Sequence, residues 1–84
     1  INEKFQTPKL KNNQFEISLE KSQEVNQLIF NVYNTNGQRV VLDKVKNIDG
    51  KYSYDLDMSY APKGVYLIRL GNSQFGRVKK IMVK

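Results

Sequence analysis

Asp55 and Asp57 stand two residues apart in the run Tyr52-Ser53-Tyr54-Asp55-Leu56-Asp57-Met58. In an extended strand that spacing puts both carboxylates on one face. They could contribute to a calcium site, which needs several oxygen ligands; the plainer reading is the wet side of an amphipathic strand. Tyr52, Tyr54 and Tyr60 could form a platform for sugar rings, but Tyr52 and Tyr54 share their face with Leu56 and Met58, as core aromatics do. The chain contains no His and no Cys. That inventory removes the usual proton shuttle near neutral pH, the thiol nucleophile, disulfides and the common structural zinc sites. A Ser with a Lys base is formally possible, yet no strand–turn–helix elbow presents one. The expectation is a chain that is not an enzyme and that holds no cofactor or metal.

Charge is the more informative chemistry. The net charge is +6, and residues 1–57 contribute none of it, because eight basic and eight acidic side chains cancel there. From Met58 onward Lys63, Arg69, Arg77, Lys79, Lys80 and Lys84 meet no acidic residue. Such an asymmetry fits an acidic protein surface, anionic headgroups or nucleic acid as partner; it also fits a solvated face whose lysines protect a sheet edge. No RNA-binding sheet signature and no glycine-rich phosphate loop is present, so a specific nucleic-acid partner is not expected.

The elements that must position these groups follow a period of two. Phe15, Ile17 and Leu19 alternate with polar residues. Leu28, Phe30 and Val32 alternate with Ile29, Asn31 and Tyr33, a strand apolar on both faces and therefore central. Asn36-Gly37 and Asp49-Gly50 are turn signals. Arg39 to Val45 supplies a returning strand, Tyr52 to Met58 another, and Val65 to Leu70 a third with Tyr66, Ile68 and Leu70 on one side. From Phe75 to Val83 the phase is mixed, since Val78 and Met82 fall on one face and Phe75, Ile81 and Val83 on the other; a bulge near Lys79-Lys80 would reconcile them. These strands predict an all-β, immunoglobulin-like antiparallel sandwich of about seven strands, with a small five- or six-stranded barrel as the runner-up. Its core is expected to contain Leu28, Phe30, Val32, Tyr66, Ile68 and Leu70. Gly64-Val65-Tyr66 at a strand entry reads as a tyrosine corner, whose hydroxyl bonds back to the preceding loop.

With 84 residues, the chain, residues 1–84, is expected to form one domain. No apolar run approaches the ~20 residues that span a bilayer. The opening Ile1-Asn2-Glu3-Lys4 lacks both a starting Met and a charged-then-apolar leader pattern, so the chain is expected to be a fragment of something longer that continues on its N-terminal side.

Three motifs in order resemble the type A C-terminal sorting domains of the type IX secretion system of Bacteroidetes. The first is Val32-Tyr33-Asn34-Thr35-Asn36-Gly37-Gln38-Arg39-Val40. The second is Leu56-Asp57-Met58-Ser59 followed by Pro62-Lys63-Gly64-Val65-Tyr66-Leu67-Ile68-Arg69-Leu70. The third is the basic-apolar end Val78-Lys79-Lys80-Ile81-Met82-Val83-Lys84. One departure is Pro8-Lys9-Leu10-Lys11-Asn12, which stands where the family has a Pro-Asn-Pro-type element. The resemblance implies a non-catalytic address label for an N-terminal cargo domain. Its implied partners are an outer-membrane translocon, a shuttle protein and a sortase-like peptidase. Its implied route runs through the periplasm to the cell surface or the extracellular space, with possible cleavage and attachment. Recognition is then expected at Lys79, Lys80, Ile81, Met82, Val83 and Lys84, with Gly37, Gly64 and Tyr66 as structural residues. The alternative is an immunoglobulin-like accessory module that binds carbohydrate or serves as a spacer in a secreted enzyme.

Overall fold

A computed structural model describes residues 3–20 and 27–84; Ile1 and Asn2, included in the reading of the opening residues, lie outside them. The described residues form β1 (Lys4–Gln6), β2 (Gln14–Glu20), β3 (Ile29–Tyr33), β4 (Arg39–Lys44), β5 (Lys46–Ile48), β6 (Lys51–Asp57), β7 (Gly64–Gly71) and β8 (Gly76–Val83). A short 3-10 turn at Lys11–Asn13 precedes β2. Two antiparallel four-stranded sheets result, in the orders β1-β2-β6-β5 and β4-β3-β7-β8. These correspond to the A-B-E-D and C′-C-F-G sheets of an immunoglobulin-like sandwich. The described residues thus hold eight strands where about seven were expected: β1 and β5 are three residues each, too short for alternation to register.

The core follows the alternation. Phe15, Ile17 and Leu19 of β2 and Tyr52 and Leu56 of β6, with Met58, face Phe30, Val32, Ile68 and Leu70 across the sandwich, all buried. The six residues expected at the centre are each no more than 6% exposed. β3, with neighbours on both sides, is central as expected.

The turns use the residues their geometry demands. Asp49 and Gly50 both take positive φ, 52° and 83°, between Ile48 and Lys51, which pair directly; this is the primed two-residue hairpin that matches strand twist. At the β3–β4 connection the carboxamide oxygen of Asn34 accepts from the backbone N–H groups of Asn36 and Gln38, each at 3.0 Å. Gly37 sits there at φ 82°. Gly64, at φ 149°, opens β7 in a conformation that strains any side-chain-bearing residue.

The tyrosine corner is present. The Tyr66 hydroxyl donates to the Pro62 carbonyl at 2.7 Å, near the start of the F-type strand. Tyr66→Phe removes that one bond and is expected to lower stability by about 0.5–1.5 kcal/mol, read as a shift in urea midpoint at unchanged slope. An unshifted midpoint would mean that the corner contributes nothing to the fold.

One expectation is corrected. No bulge interrupts β8 near Lys79-Lys80, because its pairing with β7 runs unbroken from Gly64↔Val83 to Gly71↔Gly76. Ile81 and Val83 point into the core, while Val78 and Met82 lie on the outer face, 57% and 49% exposed. The irregularity lies instead in the β3–β4 pairing, between Val32 and Tyr33.

Candidate functional site

The three sequence motifs, spread over the chain, converge on one sheet. The first forms the end of β3, its turn and the start of β4; the second ends in β7; the third is most of β8. Apart from the short Leu56–Ser59 stretch, the other sheet takes no part in them.

β8 closes this sheet and pairs on one side, with β7. Alternation sorts its residues. Ile81 and Val83 are core side chains. Lys80 and Met82 are exposed at outward positions, opposite Leu67 and Val65. Arg77 and Lys79 take inward positions, opposite Leu70 and Ile68, at the margin where β8 passes β1 of the other sheet.

That margin is held by the chain's first described residues. The Arg77 guanidinium forms a two-pronged ion pair with Glu3: Nε donates to Oε2, and Nη2 donates to Oε1 at 2.9 Å. Lys79 Nζ donates to the Phe5 carbonyl at 2.9 Å and lies 5.6 Å from the centre of the Phe5 ring, within the reach of a cation–π attraction. Asn13, in the left-handed region at φ 57°, behaves like one residue of an extra strand. Its Nδ2 donates to the Lys84 carbonyl at 2.7 Å, and its Oδ1 accepts from the Lys84 N–H at 3.0 Å. Asn tolerates this φ better than most residues. The Pro8–Asn12 segment is built into the same sheet as β2. The Pro8 carbonyl accepts from the Glu16 N–H at 3.0 Å, and Lys9 bridges to Phe15.

The opposite margin has a separate tie. The Tyr54 hydroxyl of β6 donates to Asp43 Oδ2 of β4 at 2.7 Å, and the Tyr54 ring stacks on Phe30 with centroids 4.2 Å apart. Burial, reinforced by the bond to Asp43, pushes the Tyr54 hydroxyl up to about 12. The same bond, with the Lys44 N–H, holds the exposed Asp43 carboxyl below its ordinary range. Each group thus stabilises the other's pairing form, a proton donor facing a carboxylate.

The remaining candidates do not assemble. Tyr52 is buried, Tyr54 is half-buried at the β4 margin and Tyr60 is exposed on the loop before β7, so the three rings make no common platform. Asp57 is engaged with Ser59, whose N–H donates to Oδ1 at 2.9 Å; hydrogen bonds from the Ser59 side chain and backbone lower its carboxyl from the ordinary value. Among the described residues no three acidic side chains cluster, and no helix is long and apolar enough to cross a membrane.

Sequence reasoning missed Glu3, Phe5 and Asn13 as partners of β8. They lie 71 to 74 positions from the residues they hold, and only the Asn12-Asn13 pair, tolerant of positive φ, carried a local signal. No curated protein matches the chain. The model of the secretion system C-terminal sorting domain family matches residues 8–84, which takes in all three motifs, the Pro8–Asn12 segment and every strand except β1. The chain belongs to the C-terminal sorting domains of the type IX secretion system, a typically non-catalytic family of signals that send an attached cargo toward the cell surface or the extracellular space.

Proposed function

We propose that residues 1–84 act as one address label, read at the exposed positions of β8 and the sheet it closes. In this reading Lys80, Met82 and Lys84 meet the recognition machinery. Ile81 and Val83 anchor the strand from inside, and Lys79 holds it to β1. The observation that carries the reading is the match over residues 8–84, together with the placement of the three motifs, all but the Leu56–Ser59 stretch, on one sheet. An attached cargo would travel through the periplasm, be presented by a shuttle protein to the outer-membrane translocon, and meet a sortase-like peptidase that cleaves the label and attaches the cargo at the surface. A sheet-edge strand with concentrated positive charge suits such reading, because edge backbone offers pairing groups and charge steers encounter.

The test replaces outward side chains only. Lys80→Glu with Met82→Gln alters two exposed residues, each expected to change stability by no more than about 0.5 kcal/mol. A reporter carrying this variant, folded by circular dichroism, is expected to reach the surface several-fold less than the parent fusion. Parent-level export of the folded variant would remove β8 from the recognition surface.

A further inference from the structure

The outer face of β4-β3-β7-β8 differs in charge from the outer face of the other sheet. Asp43 is the only acidic residue in these four strands, and it pairs with core-facing Phe30, where it accepts from Tyr54. Outward positions carry Arg39 and Lys44 on β4, Arg69 on β7 and Lys80 on β8. The opposite sheet turns Glu16, Glu20, Asp55 and Asp57 outward among Lys4, Lys46 and Lys51. The cation-only face is also apolar. Of the eight exposed large hydrophobics among the described residues, Val40, Leu42, Leu67, Val78 and Met82 belong to these strands. An exposed apolar cluster rimmed by polar groups marks an interaction site.

The register gives the face a spatial pattern. One row across the strands reads Arg39–Tyr33–Leu67–Lys80, with a cation at each end and apolar groups between. Beside its centre lies an open depression of about 370 Å³ lined by Tyr33, Val65, Leu67 and the Asn34–Gly37 turn. The turn is fixed by the Asn34 hydrogen bonds described above, so this wall is formed in advance. Three interstrand spacings separate the two cations, about 14 Å. In an extended peptide, residues four apart lie about 13–14 Å from each other on the same face, with the residue midway between them also on that face.

We infer that this face docks a protein segment in extended conformation with the pattern acidic–x–apolar–x–acidic. Its carboxylates reach Arg39 and Lys80, and its central apolar side chain enters the depression at Tyr33, Val65 and Leu67. An anionic membrane surface would match the cations and take up exposed side chains such as Val78 and Met82, but it presents no apolar group at a fixed spacing from two carboxylates to fill the depression. The inference rests on the sorting reading only for the biological role of the face, and binding and export are measured separately.

The experiment uses the isotope-labelled 84-residue chain and the capped peptide Asp-Ser-Leu-Ser-Asp. Amide shifts are expected to move at Tyr33, Leu67, Lys80 and the 34–38 turn, and to stay in place on β2 and β6. Asp-Ser-Ser-Ser-Asp and Lys-Ser-Leu-Ser-Lys should bind at least tenfold more weakly. Leu67→Glu and Arg39→Glu should each weaken the first peptide at least tenfold, and Asp55→Lys on the opposite face should leave it unchanged. Shifts confined to the other sheet, equal binding of all three peptides, tighter binding to phosphatidylglycerol vesicles, or self-association that buries the face in sedimentation would each overturn the inference. If the peptide fails to bind while a fused reporter is still exported, the inference falls and the sorting reading stands. If the peptide binds as expected and the reporter is not exported, the sorting reading falls and the docking face stands.

Discussion

A chain ended at Lys80 is expected to lose most or all of its folded population. Ile81 and Val83 are 5% and 2% exposed, and large-to-small losses in a core cost about 2–4 kcal/mol each. The same cut removes both Asn13–Lys84 bonds and strips the first three residues of β7, Gly64 to Tyr66, of their partners. A domain of 84 residues holds about 4–13 kcal/mol in all, at roughly 0.05–0.15 kcal/mol per residue. Urea unfolding followed by circular dichroism checks this. A truncated chain with the parent's midpoint and slope would place the end of β8 outside the cooperative unit. The consequence for function is direct: failed export of a truncated fusion reports unfolding, and only outward substitutions such as those at Lys80 and Met82 isolate recognition.

The second large effect is a contrast between two glycines that face each other across the β7–β8 hairpin. Gly71→Ala would place a Cβ 2.4 Å from the Phe75 carbonyl oxygen and 2.8 Å from Gly76 Cα. Both are backbone atoms, so the hairpin itself must open. Gly76→Ala meets the Arg69 guanidinium first, at 2.6 Å, and that side chain can swing aside at the loss of its bond to the Asn72 carbonyl. Gly71→Ala is therefore expected to cost about 2–3 kcal/mol, in the range for overpacked sites, and Gly76→Ala about 0.5–1.5 kcal/mol, the worth of one hydrogen bond. Denaturation midpoints of the two variants decide it. Equal losses, or the reverse order, would mean that the hairpin is not as tightly closed as described.

What was legible in the sequence is what local periodicity and turn chemistry encode. Leu28, Phe30 and Val32, and then Tyr66, Ile68 and Leu70, announce two buried strand faces by alternation alone. Asp49-Gly50 announces its hairpin because few other pairs accept two positive φ values. The tyrosine corner is legible because glycine, loop and tyrosine are contiguous. β1 and β5 were not, since three residues around a single Phe5 or Ile48 carry no period. The phase of β8 misled for a physical reason: alternation presumes one dry and one wet face, whereas Val78 and Met82 belong to a second apolar surface on the outside of the sheet. That apparent defect was the signal of the outer face, and Ile29 and Tyr33 on β3 repeated it. The Glu3, Phe5 and Asn13 contacts to β8 are pairings between the two ends of the chain, which no window of neighbouring residues contains.

The clamp that Glu3 and Phe5 place on Arg77 and Lys79 also bears on recognition. The family match begins at Pro8, yet β1 pairs with β2 through Lys4↔Glu20 and Phe5↔Leu19, its Phe5 carbonyl holds Lys79 and the preceding Glu3 holds Arg77. Residues outside the family match are therefore in contact with the strand proposed for recognition. Surface charge pairs of this kind contribute little stability individually, so the clamp positions β8 more than it strengthens the fold.

In the proposed function these 84 residues suffice to send a folded cargo across the outer membrane. The most direct measurement fuses them to the C-terminus of a periplasmic reporter in a host with a type IX secretion system and quantifies reporter at the cell surface and in the medium. Surface or extracellular reporter is expected for the fusion, and periplasmic retention for the reporter alone and for the fusion in a host lacking the translocon. Retention of a folded fusion in the periplasm of the competent host would contradict the proposed function.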